Sequence, residues 1–143
     1  MREPRIVPAL AIVAALALAG CGASDRPPRL SSGLRCEACG MDLGDLRFAS
    51  SRRAGGGWQS YDSIECLVRD AAAKPGGAVW LPDYDQAALH PADSMWVVKG
   101  SFPTPMGGGL AAFLDRATAD SVAALTNGRV DRFDAIAAAE APR

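Results

Sequence analysis

Sulfur-containing side chains are concentrated in two short stretches of the chain. Residues 36–41 read CEACGM and residues 104–109 read TPMGGG. Thiolate and thioether sulfurs are soft ligands that select copper(I) over harder ions. Copper(I) is satisfied by two or three such ligands, so one cysteine with one or two methionines is sufficient. A shallow site on loops also suits transfer of the ion better than a closed cage, and copper(I) binding is the first hypothesis from these residues.

The pair formed by Cys36 and Cys39 has other interpretations. A structural zinc site needs four ligands, but the chain has no second CxxC and only one histidine. Attachment of a c-type haem needs a histidine where Gly40 stands. A redox motif of the thioredoxin type should open a helix, whereas Gly40 follows the pair at once. A structural disulfide, Cys36 with Cys39 or either with Cys66, stays open in an oxidising compartment.

Three further side chains need to be weighed as ligands. Methionine usually fills gaps in a core, but Met106 lies between Pro105 and three glycines, where packing is poor and close approach is easy. Cys66 lies on a predicted helix, and we expect it to be buried rather than to bind metal. His90 is expected in a solvated loop beside Pro91, and it stays a secondary candidate because copper(I) accepts imidazole.

The N-terminal residues have the pattern of a bacterial lipoprotein signal. Arg2 and Arg5 precede an apolar run over residues 6–18, which is too short for a permanent span and suits a signal peptide. The run ends in Leu-Ala-Gly before Cys21, which resembles a lipobox and predicts a lipidated Cys21. The absence of aspartate after Cys21 indicates sorting to the outer membrane. We therefore expect a signal peptide over residues 1–20.

The remaining chain is expected to form one small domain. Residues 21–33 contain a proline pair and no apolar periodicity, which predicts a lipidated cysteine followed by a flexible tether, with the domain over residues 34–143. The 143 residues carry 15 Lys and Arg against 16 Asp and Glu, a net charge of −1, so no basic field favours nucleic acid. Loss of Cys21 to lipid leaves three cysteines, and an odd number means that at least one is free, metal-bound or paired between chains.

The pattern of apolar and turn residues predicts an α+β domain. After Asp62, apolar residues recur at helical spacing and predict a helix. Asp62 is its expected N-cap, and the helix is expected to end before Pro75. Strands are expected at 46–51, 58–61, 78–81, 95–99, 110–114 and 129–133, and further helices at 118–125 and 134–141. The two halves of the domain share an order of sulfur-bearing loop, strand, helix and strand. This order suggests a weak internal duplication with helices packed on mostly antiparallel sheet.

The motifs in this order resemble the NosL family. A lipobox is followed by CxxCGM, by YDSIECL at residues 61–67, by WVV at 96–98 and by TPMGGGL at 104–110. The resemblance covers residues 36–133. It implies a copper(I)-binding lipoprotein chaperone and not an enzyme. The matching positions imply Cys39, Met41 and Met106 as copper ligands, with Cys36 as a further ligand or a disulfide partner.

The resemblance also implies a fold, a client and a location. The family fold is α+β, built from two related ββα-type halves, and is similar to the organomercurial lyase core. Family members supply copper for assembly of nitrous oxide reductase, working with a periplasm-facing ABC-transporter complex and its β-helical partner. The chain would then be lipid-anchored in the cell envelope and face the periplasm. The alternatives are a general envelope copper buffer, a chaperone for another client, or a thiol redox protein.

Overall fold

The structure, a computed structural model, describes residues 25–141. The predicted signal peptide and Cys21 lie outside these residues. No helix in the part of the chain that the structure describes has both the length and the apolar character needed to cross a membrane. The elements in chain order are β1 (Ser50–Ala54), β2 (Gly57–Tyr61), α1 (Ile64–Ala73), β3 (Val79–Asp83), β4 (Ala88–Pro91), a 3-10 turn (Ala92–Ser94), β5 (Trp96–Lys99), β6 (Leu110–Phe113), α2 (Arg116–Leu125), β7 (Arg129–Asp131) and α3 (Phe133–Glu140).

Two antiparallel sheets follow the same path through the chain. The first has the order β2-β1-β3-β4, and the second has the order β6-β5-β7. In each, a hairpin is followed by a helix and then by a strand that returns to the other edge of the first strand of the hairpin. The predicted α+β fold with two related halves is therefore confirmed. The repeat begins at β1 and at β5, so the TPMGGG loop lies inside the second hairpin and does not precede the second half.

The first hairpin shows how local sequence determines the fold. The strands β1 and β2 are joined by Gly55 and Gly56, and Ala54 pairs with Gly57. Both turn glycines have positive φ, 59° and 85°. A two-residue hairpin turn that matches the twist of its strands needs this conformation at both positions, and glycine adopts it at least cost.

Helix α1 begins one residue later than expected, because its N-cap is not Asp62. The N-cap is Ser63, whose side chain accepts a hydrogen bond from the Cys66 N–H at 3.2 Å. The prediction that Asp62 caps the helix is wrong, because the Asp62 carboxylate accepts a hydrogen bond from the Gly44 N–H at 3.1 Å instead. Asp62 thus ties the start of the helix to the chain that follows the CEACGM loop.

Other boundaries differ from the sequence expectation. The first strand begins at Ser50, and α2 begins at Arg116 because Asp115 caps it by accepting from the Thr118 N–H. Strand β4 was not expected at all. It contains His90, so the expectation that His90 lies in a solvated loop is wrong: this residue pairs with Leu81 of β3.

The larger hydrophobic core lies between α1, α3 and strands of both sheets. Its fully buried members include Ile64, Leu67, Leu81 and Val97, and Leu30 is also buried in it. The chain therefore packs against the core from before residue 34, within the segment 21–33 that was expected to be a flexible tether. A second core with Phe48, Val98, Ala111, Phe113, Ala119 and Ala123 is formed where α2 packs on the second sheet.

A buried ion pair fixes the C-terminal half of α1 to the first sheet. Arg52 on β1 donates to an Asp70 carboxylate oxygen at 2.5 Å, and the Tyr61 hydroxyl donates to the same oxygen at 2.7 Å. The Arg52 guanidinium also donates to the carbonyl oxygens of Lys74 and Gly76, just after the helix. The buried charges of Arg52 and Asp70 are thus paired and hydrogen-bonded. This matters because an unpaired charge in the protein interior is strongly destabilising.

Candidate metal centre

Three thiols meet at the N-terminal end of α1. The sulfur atoms of Cys36, Cys39 and Cys66 all lie within 4.8 Å of one another, and all three are free cysteines. Cys36 and Cys66 are buried, whereas Cys39 is partly exposed. The arrangement is a compact set of sulfur donors in which Cys39 is the one partly exposed residue.

The CEACGM loop is folded so that its two cysteines face the same side. The Cys36 N–H donates to the Met41 carbonyl at 2.8 Å, and the Gly40 N–H donates to the Cys36 carbonyl at 2.9 Å. Gly40 has a φ of +74°, which a side chain would disfavour. The Glu37 N–H donates to the Ser60 carbonyl at 2.9 Å and so attaches the loop to β2.

Cys66 enters the group from the first turn of α1. Its backbone N–H is held by the Ser63 cap, and its sulfur accepts a hydrogen bond from Arg69 Nη2 at 3.4 Å. The sequence favoured burial over ligation for Cys66. Its burial is confirmed, and its sulfur lies close to the other two thiols, so burial does not exclude a role as a ligand.

The protein environment shifts the pKa values of the Cys36 and Cys66 thiols in opposite directions. Burial alone would raise the pKa of Cys36, but hydrogen bonds from the backbone of Asp62, Cys39 and Ala38 and from the Cys39 side chain outweigh it, and the pKa of Cys36 is lowered. Burial, together with the neighbouring Cys36 and Cys39, raises the pKa of Cys66 to about 12, although a hydrogen bond from Ser63 acts in the opposite direction. A cation bound among the sulfurs would relieve this repulsion and favour the thiolates.

The two predicted methionine ligands lie in unequal surroundings. Met106 is half-buried and packs against the core that contains Cys36 and Cys66. Met41 is 46% exposed, and only its backbone carbonyl is seen to hold the loop. Of the two methionines, Met106 is therefore the less exposed, and the roles of both as ligands stay predictions.

His90 is not a member of the thiol group. It lies on β4, and its Nε2 atom is buried with no hydrogen-bond partner among the described residues. Its role as a secondary ligand stays a prediction.

Sequence reasoning missed the contacts that hold the TPMGGG loop. The Thr104 hydroxyl donates to Glu65 Oε1 at 2.7 Å, and the Leu110 N–H donates to the same oxygen at 3.2 Å. Glu65 immediately precedes Cys66, so this carboxylate links the methionine loop to the helix that carries a thiol. The spacing of the motifs gave no signal for this link, because its partners are far apart in the chain.

The fold and the site define a small two-sheet α+β protein with a partly exposed three-thiol centre. No family model matches the sequence. The chain is 25% identical over 147 residues to the copper-binding lipoprotein NosL of Stutzerimonas stutzeri, covering 89% of this chain and 77% of that protein. The resemblance to the NosL family, indicated above by the motifs, is confirmed.

A solved structure agrees with this relationship at the level of the fold. The crystal structure of the copper chaperone NosL from Shewanella denitrificans matches the chain with a TM-score of 0.66 at 17% identity. The match covers 78% of this chain and 95% of that one. Nearly the whole of that protein thus has its counterpart in the two-sheet domain described here.

Proposed function

We propose that the protein is a copper(I) chaperone and not an enzyme. The observation that carries the proposal is the approach of three cysteine sulfurs to within 4.8 Å of one another. Thiolates are the donors that copper(I) prefers, and three coordinate it without a fourth ligand. The names of the Stutzerimonas and Shewanella proteins support copper as the cargo.

The proposed ligands are the thiolates of Cys36, Cys39 and Cys66, with the Met106 thioether as an exchanging donor. Cys39 is the partly exposed thiol, so we assign to it the first contact with incoming copper and the last with outgoing copper. Met41 is exposed and lies two residues after Cys39, and it is proposed as a transient ligand during transfer. Stepwise exchange of sulfur ligands allows release without a large barrier.

The proposed location and client follow from the motif resemblance. A lipid on Cys21 would anchor the domain in the cell envelope facing the periplasm, and the lipoprotein name of the Stutzerimonas relative supports this. The proposed client is nitrous oxide reductase, supplied through the ABC-transporter complex and its β-helical partner. A reductase isolated from a strain lacking this gene should contain less copper, while a general copper buffer would lower the copper content of other envelope enzymes equally.

The copper proposal is tested by titration of residues 22–143 with copper(I), without oxygen, against a chromophoric chelator. We expect one tightly bound ion per chain and at least about tenfold weaker binding for Cys39→Ser and for Cys66→Ser, because each loses a thiolate that a hydroxyl does not replace. Circular dichroism of each variant controls for folding.

The opposite result is equally informative. Undiminished affinity in both serine variants would refute the ligand assignment. Failure of the reduced protein to compete for copper at all would refute the chaperone function and favour a thiol redox or disulfide role for Cys36 and Cys39.

A further inference from the structure

The loop over residues 104–110 is attached to α1 through one carboxylate oxygen. Glu65 Oε1 accepts from the Thr104 hydroxyl at the start of the loop and from the Leu110 N–H at its end. The Thr104 hydroxyl in turn accepts from the Gly109 N–H at 3.2 Å, and the Thr104 carbonyl accepts from the Gly107 N–H at 3.0 Å. Glu65 and Thr104 thus hold both ends of the loop that carries Met106.

Close packing at Gly108 reinforces this attachment. A Cβ atom at this position would overlap the Glu65 side chain, so only glycine lets the loop lie directly on the carboxylate. The loop is therefore fixed by shape as well as by hydrogen bonds, and its position depends on the Glu65 side chain.

Among the described residues, the Glu65 carboxylate accepts side-chain hydrogen bonds only from this loop. Its second oxygen, Oε2, is buried without a hydrogen-bond partner. Leaving a buried carboxylate oxygen unpaired is costly. An amide would serve the visible contacts equally well, since all of them are accepted by Oε1.

From this geometry we infer that Glu65 is a positioning residue that holds the 104–110 loop so that the Met106 thioether faces the three-thiol site. The inference rests on the proposed copper function, because it gives Met106 a place in the copper coordination. In this arrangement α1 carries the Cys66 thiol, and Glu65, the residue before it, holds the loop that carries the Met106 thioether.

The position of the loop is tested first in the metal-free protein by amide hydrogen exchange. Glu65→Ala should speed exchange at the Leu110 amide by about tenfold, which is the effect of losing one buried hydrogen bond. Glu65→Gln should keep the protection, since its amide oxygen can accept both bonds. Glu37→Ala, which removes an exposed carboxylate from the thiol loop, is the matched control for charge and should leave the Leu110 amide unchanged. Unchanged protection in Glu65→Ala would overturn the inference.

The role of Met106 is tested by X-ray absorption at selenium in copper-loaded selenomethionine protein. A Met41→Leu background removes the exposed thioether, and Met106→Leu in that background defines the signal without the ligand. We expect a copper–selenium distance in the background protein and in Glu65→Gln, and its loss in Glu65→Ala and in Gly108→Ala.

The outcomes separate this inference from the copper proposal. Copper bound by the background protein without any selenium contact would overturn the placement of Met106 while leaving the thiol site intact. A copper–selenium contact that persists in Glu65→Ala would overturn the role of Glu65. If no copper binds at all, the chaperone proposal fails, and the exchange experiment still decides whether Glu65 holds the loop.

Discussion

Removal of the Asp70 carboxylate should destabilise the domain more than loss of any surface ion pair. Asp70 lies four residues after Cys66 and so on the same face of α1, and it accepts hydrogen bonds from Arg52 and Tyr61. Asp70→Ala would leave the Arg52 guanidinium, whose side chain is 1% exposed, without its counter-charge. Breaking a buried pair on one side costs roughly 3–5 kcal/mol. We expect about 3 kcal/mol, since Arg52 keeps its bonds to the carbonyl oxygens of Lys74 and Gly76.

The cost is measured by urea unfolding followed by circular dichroism. Thermal unfolding should show a fall of roughly 10 °C in Tm, at about 3–4 °C per kcal/mol for a domain of this size. Asp120→Ala is the control, because Asp120 pairs with Arg116 at an exposed i,i+4 position and should cost only about 0.3–0.5 kcal/mol. The double variant Arg52→Met with Asp70→Leu should recover stability relative to Asp70→Ala, because it buries no unpaired charge.

The effect of Asp70 should also depend on pH in a definite direction. Burial opposes ionisation, but hydrogen bonds from Tyr61 and Arg52 and the nearby Lys74 outweigh it, so the pKa of Asp70 is lowered in the folded state. A lowered carboxyl pKa gives stability that is present above the unfolded pKa, near 3.9, and is lost as the pH falls through the folded pKa. The gap between the native protein and Asp70→Ala should therefore narrow below about pH 4. A gap under 1 kcal/mol at pH 7, or one that is constant with pH, would refute this reasoning.

Three further predictions concern the sulfur site. Met106→Ala should weaken copper(I) binding more than Met41→Ala in the chelator titration, because Met106 is half-buried against the core that contains Cys36 and Cys66, whereas Met41 is exposed; equal effects would contradict this. Arg69→Ala should weaken copper binding a few-fold, with partial rescue by Arg69→Lys, since the guanidinium donates to the Cys66 sulfur and favours its thiolate; an unchanged affinity would show that this contact is unimportant. Iodoacetamide should modify Cys39 alone in the native metal-free protein, as mass spectrometry of peptides would show, and rapid native modification of Cys66 would contradict its burial.

Local patterns in the sequence were sufficient for much of the fold. The expected strand at 58–61 and the expected helix between Asp62 and Pro75 both form, as β2 and α1. The cap was misassigned between two adjacent residues that both suit the position. Only the long-range bond from Gly44 to Asp62 decides which of them is free to cap the helix, and no local rule contains that information.

Strand β4 shows a second limit of sequence patterns. It contains a histidine followed by Pro91 and pairs with a β3 strand that itself contains Pro82, so its composition resembles a loop. The strand forms at the edge of the sheet, where a proline does not break a ladder on both sides. The pairing partner, and not propensity, makes this segment a strand.

The candidate site was predicted as two sulfur motifs, but not as a three-dimensional group. The CEACGM and TPMGGG motifs gave the cysteine pair and Met106 by residue type. The approach of Cys66 to the pair and the link from Glu65 to the methionine loop both depend on how α1 packs between the two halves. Such contacts follow from tertiary packing, which periodicity does not encode.

The three-thiol group has a consequence for the lifetime of the protein. Cys36 and Cys66 are distant in the sequence and meet only when α1 is packed against the loop, so the complete donor set exists only in the folded chain. A ligand that binds the folded state alone stabilises it by mass action. Under the proposed function, a protein that has released its copper would lose this stabilisation. It would unfold locally more often and would be cleaved faster by proteases. Turnover in the envelope would then fall preferentially on empty carriers, and loaded ones would be spared without any dedicated recognition signal.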